Sequence, residues 1–306
     1  TLEEGQSASI ANVSYCFAAD ALPSDWGEPL WIENPDHSSN PAKYLLLKDI
    51  KEAASDLSAN GTSSQYYATY KALLDKQVTN NGAPGAGPYF QLKVDGVYLP
   101  LQLIGICQDT KSDGTGKAGL TFQMRDIYAK GNTRSTAAGG GAFNTLINPT
   151  ATNSGGWNSS ALRATLRSTF WGYLPEAMRD AIVSVDKYQQ LPRGTTASYL
   201  QKTTDETIWL PSVYEVFGTT FAGFNESEGI ADTAGHVPYQ YQAYQGNAGS
   251  QTNTNAGKPF NGCVGGCWLR SAYQKDATFF SLIDTNSHCG AWGASNSAGI
   301  APAFCL

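Results

Sequence analysis

The sequence predicts an α+β fold made of short strands, a few helices and long loops. Three observations predict it. The 306 residues include 32 glycines, which favour turns over long helices. Two amphipathic patterns near the start indicate helices, and alternating apolar stretches further on indicate strands. Hydrophobic residues make up 41% of the chain, which is enough for a buried core and excludes intrinsic disorder.

The two amphipathic helices are placed at residues 44–57 and 64–78. The first has apolar residues at helical spacing at Leu46, Ile50, Ala53, Ala54 and Leu57, and the second at Tyr66, Tyr70, Leu73, Leu74 and Val78. A Gly/Pro-rich stretch at residues 80–88 follows and marks the best candidate boundary. We therefore expect an N-terminal region at residues 1–88, irregular up to residue 45, and a second domain at residues 89–306.

Strands dominate the prediction for the second domain. A hairpin is expected at residues 90–106 around Asp95-Gly96, with Phe90, Leu92 and Val94 on one face. Further strands are predicted in LTFQM, Val183–Val185, TIWL, CWLRSA, ATFFSLID and AGIAPAFCL. Helices are predicted in GGWNSSALRATLRSTFW, capped by Asn158 or Ser159, in PEAMRDAIV from Pro175, and in PSVYEVFG up to Gly218. Residues 223–265 are predicted to be nearly all loop.

Charge and motifs exclude several classes of function. The formal net charge of −6 argues against a nucleic-acid partner, which calls for a basic face. The chain contains no apolar run of about 18 residues, so no membrane insertion is expected, and its first residues lack the pattern of a signal peptide. It also lacks a G-x-S-x-G motif and a phosphate-binding loop, so neither catalytic residues nor a cofactor are predicted.

The six cysteines and three histidines do not show the spacing of a metal site. Cys263 and Cys267 form a C-x3-C pair, but no second pair and no histidine at metal spacing accompanies it. We therefore expect no metal. Buried free thiols, or a bond between Cys263 and Cys267, are the two readings of this pair.

Four segments in one order carry a resemblance to a known fold. They lie at residues 155–185, 208–218, 267–272 and 299–306. This order resembles the C-type-lectin-like (formylglycine-generating-enzyme-like) fold in its bacterial and phage branch, which includes the variable proteins of diversity-generating retroelements. The resemblance covers roughly residues 89–306. It implies a C-type-lectin-like domain preceded by a helical N-terminal region, with a variable segment at about 264–306 that is mutated at adenine positions.

Between CWLRSA and GIAPAFCL, Phe279, Phe280, Leu282 and Ile283 are core-like. The remaining residues show no periodicity and no turn motif, and they mix aromatic, polar and very small side chains. Such a mixture is typical of a paratope, where aromatic rings supply contact area. We predict a ligand-binding face there, helped by the 258–265 loop and formed by Tyr273, Gln274, Lys275, Asp276, Asn286, His288, Cys289, Ala291, Trp292 and Ala294. We expect Tyr273, Lys275, Asp276, His288 and Trp292 to be at least partly exposed on one contiguous surface.

The resemblance implies a non-enzymatic protein of a phage particle or bacterial surface that binds a protein or cell-surface receptor. Relatives displayed on phage fibres are often trimeric, so a homo-oligomer is among the implied partners. The alternatives are an enzyme of the formylglycine-generating type, for which Cys289 and Cys305 are the nearest candidates, and a structural phage or cell-surface protein. The calcium motif of true C-type lectins is absent from the sequence, so calcium-dependent sugar binding has no support. In CWLRSA we interpret Trp268 and Arg270 as structural.

Overall fold

A computed structural model gives the structure of the chain. It describes residues 7–10, 13–16, 29–33, 43–79, 89–94, 97–128, 145–190, 200–219, 237–246, 249–260 and 263–306. The predicted boundary at residues 80–88, the turn at Asp95-Gly96 and residues 223–236, 247–248 and 261–262 of the predicted long loop lie outside these ranges.

The described part of the chain contains fifteen strands. They are β1 (Ser7–Ile10), β2 (Val13–Cys16), β3 (Pro29–Glu33), β4 (Lys43–Leu46), β5 (Tyr89–Val94), β6 (Val97–Ile106), β7 (Leu120–Met124), β8 (Val185–Gln190), β9 (Leu200–Glu206), β10 (Lys258–Phe260), β11 (Cys263–Gly265), β12 (Cys267–Ala272), β13 (Phe279–Ile283), β14 (Cys289–Gly293) and β15 (Ala303–Cys305).

The helices are α1 (Leu47–Asn60), α2 (Tyr67–Thr79), α3 (Ala161–Thr165), α4 (Trp171–Tyr173), α5 (Glu176–Ala181) and α6 (Val213–Phe217). A π-helical turn at Leu166–Phe170 joins α3 to α4, and short 3₁₀ turns lie at Gly61–Ser63, Trp157–Ser159, Gln242–Tyr244 and Thr254–Ala256. Among the described residues, none of the helices has the length and apolar character needed to span a bilayer.

The strands form one large sheet and three small ones, all antiparallel. The large sheet has the order β1-β2-β4-β3-β5-β6-β7-β15. A three-stranded sheet follows the order β12-β13-β14, and β8-β9 and β10-β11 form two-stranded ribbons. Helices and sheets are thus mixed along the chain without parallel crossovers, which is the α+β class that the sequence predicts.

The N-terminal region contains the two predicted helices and also strands that were not predicted. Residues 1–45 were expected to be irregular, yet β1 to β4 extend the large sheet beyond β5. The predicted apolar stripe of α1 is buried from Ile50 to Leu57, whereas Leu46 belongs to β4. A side chain at Gly119 would collide with the backbone of Ala54, so α1 lies directly against the strand segment before β7. The core is therefore continuous across the predicted boundary.

Most of the predicted elements in the second domain are present. Val94 pairs with Val97 across the predicted hairpin, and Phe90, Leu92 and Val94 are all buried. The helix α6 ends at Gly218, whose φ of 65° is the left-handed conformation that glycine favours. The cap of α3 is Ser160, not Asn158 or Ser159, because the Ser160 hydroxyl accepts the amide of Arg163.

The predicted strand TIWL is wrong. Strand β9 ends at Glu206, and only Trp209 makes a bridge, to Ala303 of β15. The chain then passes through Pro211 to the cap of α6, so no strand can continue there. Trp209 is nevertheless completely buried, which explains the strand-like apolar pattern.

Strand β12 is buried at all six positions, CWLRSA. A register shift between Trp268 and Ala272 breaks the simple alternation. Trp268 is fully buried and its indole N–H donates to the carbonyl of Thr145 at 2.9 Å. Arg270 pairs with the carboxylate of Glu215. Both residues are structural, as the sequence indicates.

Replacing Trp268 by alanine should lower the free energy of unfolding by about 3–5 kcal/mol, because it leaves a large cavity in the core. The matched control is Trp292→Ala, because Trp292 is 49% exposed on β14 of the same sheet; this variant should cost under about 1 kcal/mol. Denaturant unfolding measures both. Equal losses for the two variants would contradict the placement of β12 in the core.

Candidate functional site

The structure leaves most of the predicted ligand-binding residues accessible. Lys275, Asn286, His288 and Trp292 are exposed, and Tyr273, Gln274, Asp276 and Ala291 are partly exposed. The five residues expected to be at least partly exposed therefore are so. Trp292, at 49%, is one of three large apolar side chains that stand out as exposed among the described residues, with Leu146 and Val237.

Two of the predicted contact residues are buried, and this corrects the prediction. Cys289 is 2% exposed and pairs with Ile283 in the sheet. Ala294 is fully buried, and its backbone is bonded both to the carbonyl of Thr278 and to the amide of Asn148. Both residues are small, which allows the edge of the sheet to close against its neighbours, and neither can touch a ligand in this conformation.

The loop at residues 273–278, between β12 and β13, is fixed by a buried asparagine. The side-chain amide of Asn153 donates to the carbonyls of Tyr273, Asp276 and Phe279 at 2.8–2.9 Å. Its backbone amide donates to the carbonyl of Ala277 at 2.7 Å. All four acceptors are main-chain atoms, so they exist whatever side chains the loop carries.

The turn at residues 284–288, between β13 and β14, is held in a similar way. The carboxylate of Asp284 accepts the amides of Asn286 and His288 at 2.8 and 2.9 Å. The carbonyl of Ser287 accepts the amide of Asn253 from outside the hairpin at 3.0 Å. The turn thus has a defined conformation while Asn286 and His288 face solvent.

The register of β13 against β14 determines which of the predicted ligand-binding residues lie close together. The ring of Tyr273 stacks on Phe279, with ring centroids 6.4 Å apart, at the end of β13 where Phe280 pairs with Trp292. Because neighbouring positions on a strand point to opposite faces, Phe279 and Trp292 lie at the same end of the hairpin but on opposite faces. His288 lies at the other end, beyond the Ile283–Cys289 pair. The residues therefore surround the hairpin and the outer edge of β14, and they do not form one flat patch.

The predicted helper segment at residues 258–265 forms the hairpin β10-β11, with Lys258 opposite Gly265. The side chain of Lys258 is buried, so this residue is not part of the exposed face. Cys267 is a free buried thiol, which excludes a bond to Cys263 in this structure. Within the described ranges, no group of three or more His, Cys, Asp or Glu residues could hold a metal ion.

A cluster of buried charges lies behind β12. It consists of Asp109, Lys187, Glu215 and Arg270, all less than 7% exposed. The ammonium of Lys187 bonds to Asp109 and lies 2.9 Å from Glu215, and Arg270 binds Glu215 through two nitrogens at 2.5 and 2.8 Å. Two anions and two cations give the cluster no net charge.

Hydroxyl groups complete the cluster on the side of Asp109. Tyr239 and Tyr241 donate to this carboxylate at 2.6 and 3.0 Å, and Thr121 donates to it at 2.5 Å. The thiol of Cys305 lies 3.4 Å from the same group. Each charged group of the cluster thus forms ion pairs or hydrogen bonds with its neighbours, which is the condition under which buried charges are tolerated.

The pKa values follow from this packing. Burial alone would raise the pKa of Glu215, but the charges of Arg270 and Lys187 outweigh it and lower the pKa to about 2. Burial opposes ionisation of Asp109 too, and Lys187 nevertheless lowers its pKa. Burial, aided by the charge of Asp109, raises the pKa of the Cys305 thiol well above its usual value, so the thiol stays protonated.

Sequence reasoning missed both Asn153 and the charge cluster. Asn153 lies in a stretch rich in Asn, Thr and Gly that gives no local signal. The partners of the cluster are 28 to 78 residues apart in sequence. The one readable signal is Ser212-x-x-Glu215, since Ser212 and Glu215 form a capping box at the start of α6.

The comparisons with known proteins place most of this architecture in one family. The model of DUF6273, a domain of unknown function, matches residues 121–306, which is more than half of the chain. The chain belongs to the DUF6273 family. The DUF6273 region contains both hairpin loops and every cluster residue except Asp109. No curated protein and no solved structure matches the chain.

Acid should destabilise the protein through Glu215. Its pKa falls from 4.5 to about 2 on folding, so its contribution is complete above pH 4.5 and is lost as the pH falls towards 2. In Glu215→Gln, the loss of unfolding free energy across this window should shrink by on the order of 3 kcal/mol. Glu176→Gln on α5, outside the cluster, is the control. An unchanged acid dependence in Glu215→Gln would refute the assignment.

Removing the side-chain amide of Asn153 should destabilise the 273–278 loop selectively. Asn153→Ala leaves buried carbonyls without their donor, which costs about 1–3 kcal/mol. Hydrogen exchange should then accelerate at the amides of Tyr273 and Thr278 more than in β13. Asn286→Ala, an exposed asparagine in the neighbouring turn, is the control and should change neither quantity. Uniform acceleration across the sheet would show that Asn153 supports the core instead of the loop.

Proposed function

We propose that this chain is a non-enzymatic recognition protein with a C-type-lectin-like domain, whose binding face surrounds the β13-β14 hairpin. The face comprises the 273–278 loop, the 284–288 turn and the exposed part of β14. The observation that carries the proposal is the anchoring of the loop by Asn153 through main-chain acceptors alone. The carboxylate of Asp276 also accepts the amide of Thr278 at 2.8 Å, so the loop backbone keeps its shape when the side chains of Tyr273, Gln274 and Lys275 change.

The exposed chemistry of the face suits protein contacts. Trp292 and Tyr273 provide accessible aromatic area at one end of the hairpin, and Lys275, Asp276 and His288 add accessible polar groups around the hairpin. Aromatic residues dominate binding energy at protein interfaces, and a polar rim is usual there. We therefore take the ligand to be a protein or receptor on a cell surface, and the chain to belong to a phage particle or bacterial surface.

Retroelement diversification would change the accessible side chains and leave the buried ones unchanged. The segment at about 264–306 contains buried strand positions that fix the fold and accessible positions that do not. The proposal requires a near-copy of the DNA encoding this segment, differing at adenines, beside a reverse-transcriptase gene. Genomic sequence around the coding region tests this directly, and the absence of such a copy would remove diversification from the proposal while leaving recognition.

The positions of the cysteines give little support to the alternative function, an oxidase of the formylglycine-generating type. Cys289 is buried in β14, and Cys305 is buried in β15 with a raised thiol pKa. A reactive cysteine needs an accessible thiolate, which neither position provides. Conversion of a sulfatase-derived cysteine peptide to an aldehyde by the purified chain, abolished in Cys305→Ser, would favour the enzyme over the recognition protein.

Randomising the face should leave the fold intact. A display library varied at Tyr273, Gln274, Lys275, Asn286 and Trp292 should yield mostly folded variants, because surface substitutions cost under about 1 kcal/mol. A control library varied at Leu269, Phe280 and Ser281, all fully buried, should yield few. Resistance to proteolysis on the displaying particle measures folding in both libraries.

Selection of the face library on purified lysozyme, used as a test protein, should enrich binders. Replacing the residues at positions 273 and 292 of an enriched clone by alanine should weaken its binding by at least about tenfold. Equal loss of folding in the two libraries, or binders that are insensitive to these two positions, would overturn the proposal.

A further inference from the structure

The outer edge of β14 has a defined hydrogen-bonding pattern. The amide of Cys289 points away from β13, since it donates to the carbonyl of Gln251 at 2.8 Å. Main-chain groups alternate along an antiparallel strand between the two neighbours. Gly290 and Trp292 therefore turn their N–H and C=O groups towards β13, and Ala291 turns both of its groups outward. The bond from the amide of Asp284 to the carbonyl of His288 fits the same alternation.

The chain itself occupies the two ends of this edge. At Cys289, Gln251 supplies both partners, because its carbonyl accepts the amide and its side-chain amide donates to the Cys289 carbonyl at 2.8 Å. Thr252 continues this pairing with His288. At the other end, Asn148 donates to the carbonyl of Ala294 at 3.0 Å.

Ala291 lies between these ends and presents the same pair of groups. Among the residues that the structure describes, none is assigned as a partner of its outward N–H and C=O. Ala291 is partly exposed, and the neighbouring Trp292 is 49% exposed. The next outward position of the edge is thus partly accessible and is bordered by a large, exposed aromatic ring.

We propose that the ligand of this chain is recognised as an extended polypeptide segment that adds to β14 at Ala291. This inference rests on the proposed recognition function and names its ligand class. An N–H and a C=O on one residue of a strand edge match a residue of another extended chain, which offers the complementary pair. The occupation of the preceding position by Gln251 shows that this edge accepts such a partner. Trp292 then packs against a side chain of the added segment on the same face.

This mode of binding separates two tasks of the face. Main-chain bonds to Ala291 hold any extended segment, whatever its sequence. Trp292 and the side chains of the 273–278 loop then select among segments, because they lie at the end of the same hairpin. A sugar ligand cannot supply alternating amide and carbonyl groups at strand spacing, so a polypeptide is the ligand that the edge favours.

The test uses a random dodecapeptide library selected on the unmodified full chain. Enriched peptides should share an alternating pattern with an apolar residue at every second position. N-methylation of the peptide amide that pairs with Ala291 should weaken binding about tenfold or more, because it removes a main-chain donor and blocks the approach. N-methylation at the adjacent residue, whose amide points away, is the control and should have little effect.

Two variants of the chain complete the test. Ala291→Pro removes the outward N–H, which is not used in pairing with β13, and should abolish binding, whereas Ala291→Ser keeps the N–H and should retain it. Binding that depends on Tyr273 and Trp292 but not on peptide N-methylation would overturn strand addition and leave the proposed function standing. Binding that depends on N-methylation but not on these two side chains would support strand addition and overturn the proposed face. Failure to enrich any peptide would also overturn strand addition.

Discussion

The carboxylate of Glu215 is the group on which the C-terminal half of the structure depends. It accepts two bonds from Arg270 and one from Lys187, and it also caps α6 by accepting the amide of Ser212 at 2.9 Å. One buried anion thus joins β12, β8 and α6. Removing one partner of such a cluster leaves an uncompensated buried charge, which costs far more than a surface ion pair contributes. The cluster therefore allows essentially one arrangement of these three elements.

The position of β12 determines the position of the proposed binding face. Arg270 also donates to the carbonyls of Leu210 and Tyr188, and Ser271 accepts the amide of Val213. The strand is thus fixed along its length immediately before the 273–278 loop begins. Asn153 then fixes the loop itself. A loop that is ordered before binding loses less conformational entropy when a ligand arrives, so more of its contact energy appears as affinity.

Local patterns in the sequence predicted helices, strands and turns, but not the contacts between residues that are far apart in sequence. The stripe from Ile50 to Leu57, the hairpin from Phe90 and the stop at Gly218 follow from periodicity and backbone preference, and they are present. Trp209 misled the prediction because a buried bridge residue has the same apolar surroundings as a strand. Cys289 and Ala294 were assigned to the face because small residues fit both a variable surface and a closely packed sheet edge. Asp109 and Lys187 could not be paired, since nothing local links residues 78 apart.

The accessible residues of the proposed binding face were easier to predict than the residues that support them. Exposed positions such as Lys275 and Trp292 lie among aromatic, polar and very small side chains that follow no period, and that irregularity is visible in one sequence. A support such as Asn153 acts through main-chain carbonyls, which every residue possesses, so its partners leave no mark in the sequence. A scaffold that tolerates side-chain changes in a loop, as we propose for this one, relies on main-chain contacts of this kind. The difficulty of predicting the support is therefore a consequence of how the face is held.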